Sequence, residues 1–376
     1  MRQVLMILAI LLALPGRAAA QPETVATIAP LHSLVARVMQ GAGAPHLLVP
    51  PGASPHDFAL RPSDAAALER AALVFRVGPG VEPWLDRPLA TLAGGARVVR
   101  LDQVPGLTRL ALREGETFEH HAPEGAHEGA HEGAHEGAHE GAHEGAHEGA
   151  HEGAHQEGDH GHEGREGHEH EGHEHEGHEH EGHEHAGHEH AGHEHEGHAP
   201  EDHHADEADP HLWLDPSNAR LWLRAIAAAL TDADPASAGL YAANAEAARA
   251  ELAALEAELA ARLAPLRGRP FVVFHDAYHY FEHRFGIEAA GAVALSDARA
   301  PGPARIDRIR ALIRETGAAC VFREPQFRPA LVETVTEGTG ARIGVLDPIG
   351  AAIAPGPGLY PALMRGLAAG LADCLG

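Results

Sequence analysis

The feature that most constrains this chain is a tract from Glu114 to Ala208 that cannot build a core. Eight copies of Glu-Gly-Ala-His run from Glu124 to His155, and pentads ending in Gly-His-Glu-His run from Glu166 to His195. The tract holds 27 of the 34 histidines and, apart from Phe118, contains no valine, isoleucine, leucine, methionine or aromatic residue. With so little apolar area to bury, nothing offsets the entropy lost on ordering, and residues 114–208 are expected to be a disordered insert. The fold must come from the sequence on either side.

The tract also accounts for the charge. It carries 29 acids against one base, Arg165, while the whole chain stands at −27; the remainder holds 26 acids, 27 arginines and no lysine. A body so nearly neutral presents no basic face for nucleic acid. At neutral pH an ordinary imidazole is mostly uncharged and binds borderline cations such as Zn2+, Ni2+ or Cu2+, and the interleaved glutamates concentrate them. The tract histidines are therefore expected to collect metal as auxiliary ligands: His127, His131 and His135 in the tetrads, His168, His170, His173, His175, His178 and His180 in the pentads, and their neighbours. A soluble linker with no metal role is the plainer alternative. A metal-free helix is not expected, because a glycine every fourth residue costs about 1 kcal/mol each time.

At the N-terminus, Arg2 precedes an apolar run from Val4 to Leu14, followed by Pro15-Gly16 and Ala18-Ala19-Ala20. This reads as a secretory signal over residues 1–20, and the run is short of the roughly 20 residues that span a bilayer. No cysteine stands near the cleavage point to take a lipid, so the mature protein is expected to be exported and soluble. In an oxidising compartment the two cysteines, Cys320 and Cys374, suggest a disulfide, which contributes about 4 kcal/mol for a loop of that length. Two buried free thiols are the alternative.

Outside the tract, short β-branched or apolar runs alternate with helical patterns. Strands are expected at 24–28, 46–49, 73–77 and 97–101, and again at 271–274, 287–293, 319–322 and 342–346. Such alternation argues for parallel βαβ units and an α/β class. Between the two blocks, residues 235–264 are rich in alanine, leucine and glutamate, with leucines at three-and-four spacing, and read as one helix of roughly 45 Å. The expected organisation is a first α/β lobe from 21–113 with 209–231, the linking helix at 235–264, and a second α/β lobe from 268–376.

In open α/β sheets, ligands bind beyond the carboxyl ends of the strands. Of the histidines outside the tract, His56 lies in the loop after the second strand, His211 stands where order resumes after the insert, and His275 directly follows a strand. Asp347 is a further strand-end group. Three imidazoles with one oxygen, from Asp347 or water, suit tetrahedral zinc; a capping or core role is the alternative for each histidine taken alone. His279 and His283 fall on one helical face with His275 and read as extending the site, as passing metal inward or, more simply, as partly exposed surface histidines. His32 and His46 read as structural, Asp57 and Asp276 as carboxylates that orient ligand rings, and Trp213 and Tyr278 as packing beside the site.

Five segments carry a resemblance: Gly52-Ala53-Ser54-Pro55-His56-Asp57-Phe58 with Leu60-Arg61-Pro62-Ser63-Asp64; Asp209-Pro210-His211-Leu212-Trp213-Leu214-Asp215-Pro216; Phe274-His275-Asp276-Ala277-Tyr278; Glu324-Pro325-Gln326-Phe327; and Leu346-Asp347-Pro348-Ile349-Gly350. In this order they resemble the zinc-uptake solute-binding proteins of bacterial ABC transporters, and a His-rich insert at this position is itself a feature of that branch. The resemblance implies two lobes, each with a mostly parallel four-stranded sheet, joined by a rigid long helix. It implies Zn2+ held between them by His56, His211 and His275, and a monomeric periplasmic protein of a Gram-negative bacterium that delivers to an inner-membrane permease. The cysteine pair matches a disulfide found in some members. Some members place a glutamate just before the first ligand; here that residue is Pro55, which leaves Asp347 or water as fourth ligand. Manganese-type relatives place a carboxylate at the third position, where this chain has His275. The rival functions are an exported zinc buffer, a manganese- or iron-type binding protein, and a zinc hydrolase, the last lacking a His-Glu-x-x-His helix.

Overall fold

Two four-stranded sheets, each wholly parallel, form the framework of the computed structural model, which describes residues 21–113, 118, 208–294 and 301–376. The first sheet comprises β1 (Thr24–Ala26), β2 (His46–Leu47), β3 (Leu73–Arg76) and β4 (Arg97–Arg100) in the order β2-β1-β3-β4. The second repeats that order as β6-β5-β7-β8, from β5 (Phe271–His275), β6 (Gly291–Ala294), β7 (Cys320–Arg323) and β8 (Arg342–Val345). The interior strands β1, β3 and β5 are buried along their whole length, as in Leu73–Arg76 and Phe271–His275, which is why they read as largely apolar runs. The edge strand β8 instead exposes Ile343 and Val345. Parallel pairing needs crossovers, supplied by α1 (Ala29–Val38), α2 (Pro62–Arg70) and α3 (Asp86–Leu92) around the first sheet. Around the second they are α6 (His279–Phe285), α7 (Pro303–Thr316) and α8 (Ala330–Thr336), and α9 (Leu359–Leu375) closes the chain.

Two helices stand between the blocks. α4 (Pro216–Ala233) is opened by Asp215, whose side chain accepts a hydrogen bond from Ser217 N, with Pro216 at its first position. α5 (Ala238–Leu263) buries Tyr241, Ala245, Ala248, Leu252, Leu255, Leu259 and Leu263, a single stripe at three-and-four spacing. That stripe lies against α1 and α4 on the side of the first sheet and α9 on the side of the second. One continuous core therefore runs from Phe75 on β3, through Trp222 and Leu255, to Phe271 and Tyr360, each at most 1% exposed.

Three details depart from the sequence reading. The expected strand at 287–293 begins only at Gly291, because Gly286 takes the left-handed conformation (φ 66°) that ends α6, and both Gly286 N and Ile287 N donate to Glu282 O. Helix α3, seven residues with Pro88 inside, carries no amphipathic pattern from which the sequence would predict it. Phe118, the lone aromatic of the tract, is 7% exposed, and its N–H donates to Ala290 O. The Arg113 guanidinium lies 3.7 Å over its ring. On the other side of the insert, Ala208 forms an antiparallel bridge with Ala111 and Asp209 N donates to Leu110 O at 2.8 Å. Cys320 on β7 and Cys374 on α9 form the expected disulfide, with Cα atoms 6.1 Å apart. No helix among the described residues is long and apolar enough to cross a membrane.

Candidate functional site

The three histidines singled out in the sequence meet. His275 is the last residue of β5. His211 opens the 3-10 turn Leu212–Leu214, which Asp215 ends and converts into α4. His56 comes from the loop after β2, fastened where its own N–H donates to Ser54 Oγ at 3.2 Å and Trp84 Nε1 donates to Pro55 O at 2.7 Å. Their ring centroids are 5.3 Å (His56–His211), 5.4 Å (His211–His275) and 6.4 Å (His56–His275) apart. One nitrogen from each ring falls within 4.8 Å of the other two. A tetrahedral zinc would hold such nitrogens about 3.4 Å apart, within reach of small ring rotations. The cavity they line with Trp213, Phe327 and Pro348 has a volume of about 10 Å3, room for one water or one ion.

Two of the rings are braced. His211 and His275 are each 6% exposed, and each directs Nδ1 at a buried carboxylate: Asp209 Oδ1 at 2.8 Å and Glu324 Oε1 at 2.6 Å. A carboxylate on Nδ1 fixes the tautomer and turns Nε2 toward the cavity, the arrangement that metal-bound histidines show. Asp209 also accepts from His211 N, and burial pushes its carboxyl up to about 6 against that hydrogen bond. Trp213 packs on His211 with centroids 5.2 Å apart and donates Nε1 to Pro348 O, so the turn that carries His211 is tied to the loop after β8. His56 is only half-buried and is the most solvent-accessible of the three.

The remaining predicted residues are placed differently. Asp347 follows the edge strand β8, and its carboxylate accepts from Ile349 N, Gly350 N and Ala352 N, shaping its own loop outside the histidine group. Asp276 pairs with Arg113 and Asp57 is exposed, so the ring-orienting carboxylates are Asp209 and Glu324 instead. Glu324 escaped the sequence reading because only the strand order places β7 next to β5 and so sets the residue after β7 beside His275. Asp209 is likewise absent from the sequence reading of the site; the signal that could have found it is the Asp-Pro-His spacing, which suits a turn folding back on itself. His32 Nε2 donates to Pro45 O at 3.1 Å, and His46 lies 3.9 Å from Asp64. The tract histidines His127, His131, His135, His168, His170, His173, His175, His178 and His180 lie outside the described residues.

Comparison with known proteins places the chain in a family. The family profile described as "Zinc-uptake complex component A periplasmic" matches residues 24–374. The chain is 47% identical over 351 residues to the high-affinity zinc uptake system protein ZnuA of Brucella abortus (strain 2308), covering 93% of this chain and 91% of that one. It is 42% identical over 365 residues to the ZnuA of Paracoccus denitrificans (strain Pd 1222), covering 97% and 94%. A solved structure titled "Crystal structure of ZnuA" superposes with a TM-score of 0.64 at 20% identity, covering 95% of this chain and 100% of that one, which shows a shared fold. On the profile match and these identities, the chain belongs to the ZnuA family of periplasmic zinc-uptake components.

Proposed function

We propose that this chain captures Zn2+ in the periplasm of a Gram-negative bacterium and hands it to an inner-membrane ABC permease, as a monomeric carrier and not an enzyme. Residues 1–20 act as the cleavable signal. His56, His211 and His275 are the ligands, with water at the fourth position, since Asp347 neither belongs to the group of converging ligand atoms nor lines the cavity. The observation that carries the reading is the convergence of three imidazoles, two braced by buried carboxylates, on a cavity of ionic size. An all-imidazole set favours zinc over the harder cations that prefer oxygen.

The two braced rings supply a fixed half of the site, while His56, half-buried on a loop, is the ligand through which metal arrives and leaves. The His/Glu tract raises the local supply of zinc through many weak, exchanging sites to which the cleft is tethered. Removing residues 114–207 and titrating with zinc tests this reading: one ion should remain tightly bound per chain by calorimetry and elemental assay. Loss of all tight binding on that deletion would make the tract the working part and the protein a buffer. His211→Ala in the deleted protein should abolish the remaining ion.

A further inference from the structure

We propose that His279 and His283 form a second, solvent-facing site for a borderline divalent cation, for which zinc serves as the probe. The two residues are four apart on α6 and so lie one turn apart on the same face, the spacing at which two imidazoles share one metal on a helix. Both line a surface groove of about 720 Å3, bounded on one side by Arg113 at the root of the insert. His283 is exposed and the His279 side chain is 23% exposed, so the pair faces solvent, unlike the braced rings of the cavity.

The setting of His279 is that of a ligand in waiting. Its Nδ1 is buried, has no hydrogen-bond partner among the described residues, and lies 3.7 Å from Asp209 Oδ2. The other oxygen of the same carboxylate takes His211 Nδ1. An imidazole that turns Nδ1 toward a buried carboxylate offers Nε2 to a metal, and metal on Nε2 makes Nδ1–H a stronger donor, which would draw this long contact into a hydrogen bond. Burial, helped by the nearby Arg113 charge, holds His279 below the usual histidine range, so its ring is neutral when zinc is offered. The Arg113 guanidinium does not repel a cation at full strength, because Asp276 and Glu282 pair with it, Glu282 at 2.7 Å. Water completes the coordination. With two protein ligands in place of three, the site fills after the cavity and releases more readily. Asp209 then stands between a loosely held ion at His279 and the first site at His211, which makes the pair a staging point for metal.

Site-resolved carbethoxylation of the full chain in zinc-buffered solution, read residue by residue by mass spectrometry, tests the proposal, and the metal buffer fixes free zinc whatever the tract takes up. At free zinc about ten times the dissociation constant of the pair, modification of His279 and His283 should slow together by about tenfold. This should occur at higher free zinc than protects His56. In the His283→Ala protein, whose changed residue is exposed and leaves the core untouched, protection of His279 should vanish while that of His56 persists. Equal rates at His279 with and without zinc, or protection of His279 that survives His283→Ala, would overturn the proposal. His56 is read in the same experiment, so failure of the three-histidine assignment would show separately.

Discussion

Asp209 and Glu324 do for the histidines what no feature of single residues announced. Replacing Glu324 with alanine removes the acceptor from His275 Nδ1, leaves the ring free to turn, and is expected to weaken zinc binding by about 10- to 100-fold. Asp57→Ala, at an exposed position, is expected to leave affinity unchanged. Competition against a chromophoric chelator in the protein lacking residues 114–207 reads both; equal losses for the two variants would contradict the assignment of the brace. The three histidines were legible because each follows a strand or opens a capped turn, positions fixed by local patterns. Their carboxylate partners depend on which strands become neighbours. Asp347 satisfied the same strand-end rule as His275, yet it sits beyond an edge strand, where its own loop takes up its oxygens.

Among the elements, the long helix and the interior strands were readable because burial imposes a period on them, whereas α3 has none and the start of β6 was decided by one glycine. Two caps fix the elements that bear on the site. Asp215 accepts from Ser217 N and from Arg284, at 2.7 and 2.6–2.8 Å, so it joins the turn carrying His211 to both α4 and α6. Asp215→Ala is expected to cost about 2 kcal/mol in urea unfolding of the zinc-free protein. At the start of α2, Asp64 accepts from Arg61 N at 3.0 Å and from the Arg61 guanidinium. Burial raises the Asp64 carboxyl, but these hydrogen bonds outweigh it and hold the group below the usual carboxylate range. A depressed folded-state pKa stabilises fully above the unfolded value and stops doing so as pH falls through the folded one. The stability gap between wild type and Asp64→Ala, about 1 kcal/mol at neutral pH, should therefore close in acid, as measured by urea unfolding across that range.

For the molecule as a whole, the two sheets share a core through α4 and α5, and polar ties reinforce it. Tyr360 OH donates to Trp213 O at 2.7 Å, Tyr280 OH donates to Asp209 O at 2.9 Å, and Arg113 joins the segment before the insert to α6. The disulfide closes a separation of 54 residues between β7 and α9, and its reduction is expected to lower stability by about 2 to 4 kcal/mol, seen as an earlier unfolding midpoint in reductant. The bridge between Ala111 and Ala208 has a further consequence. The two ends of the insert meet on the body, so the span between them leaves and re-enters at one place, and loop closure in general costs only about 0.6 kcal/mol more for each doubling of length. The folded frame therefore sets only where the repeats are joined on, and adding or removing repeat copies is expected to change its stability by well under about 1 kcal/mol.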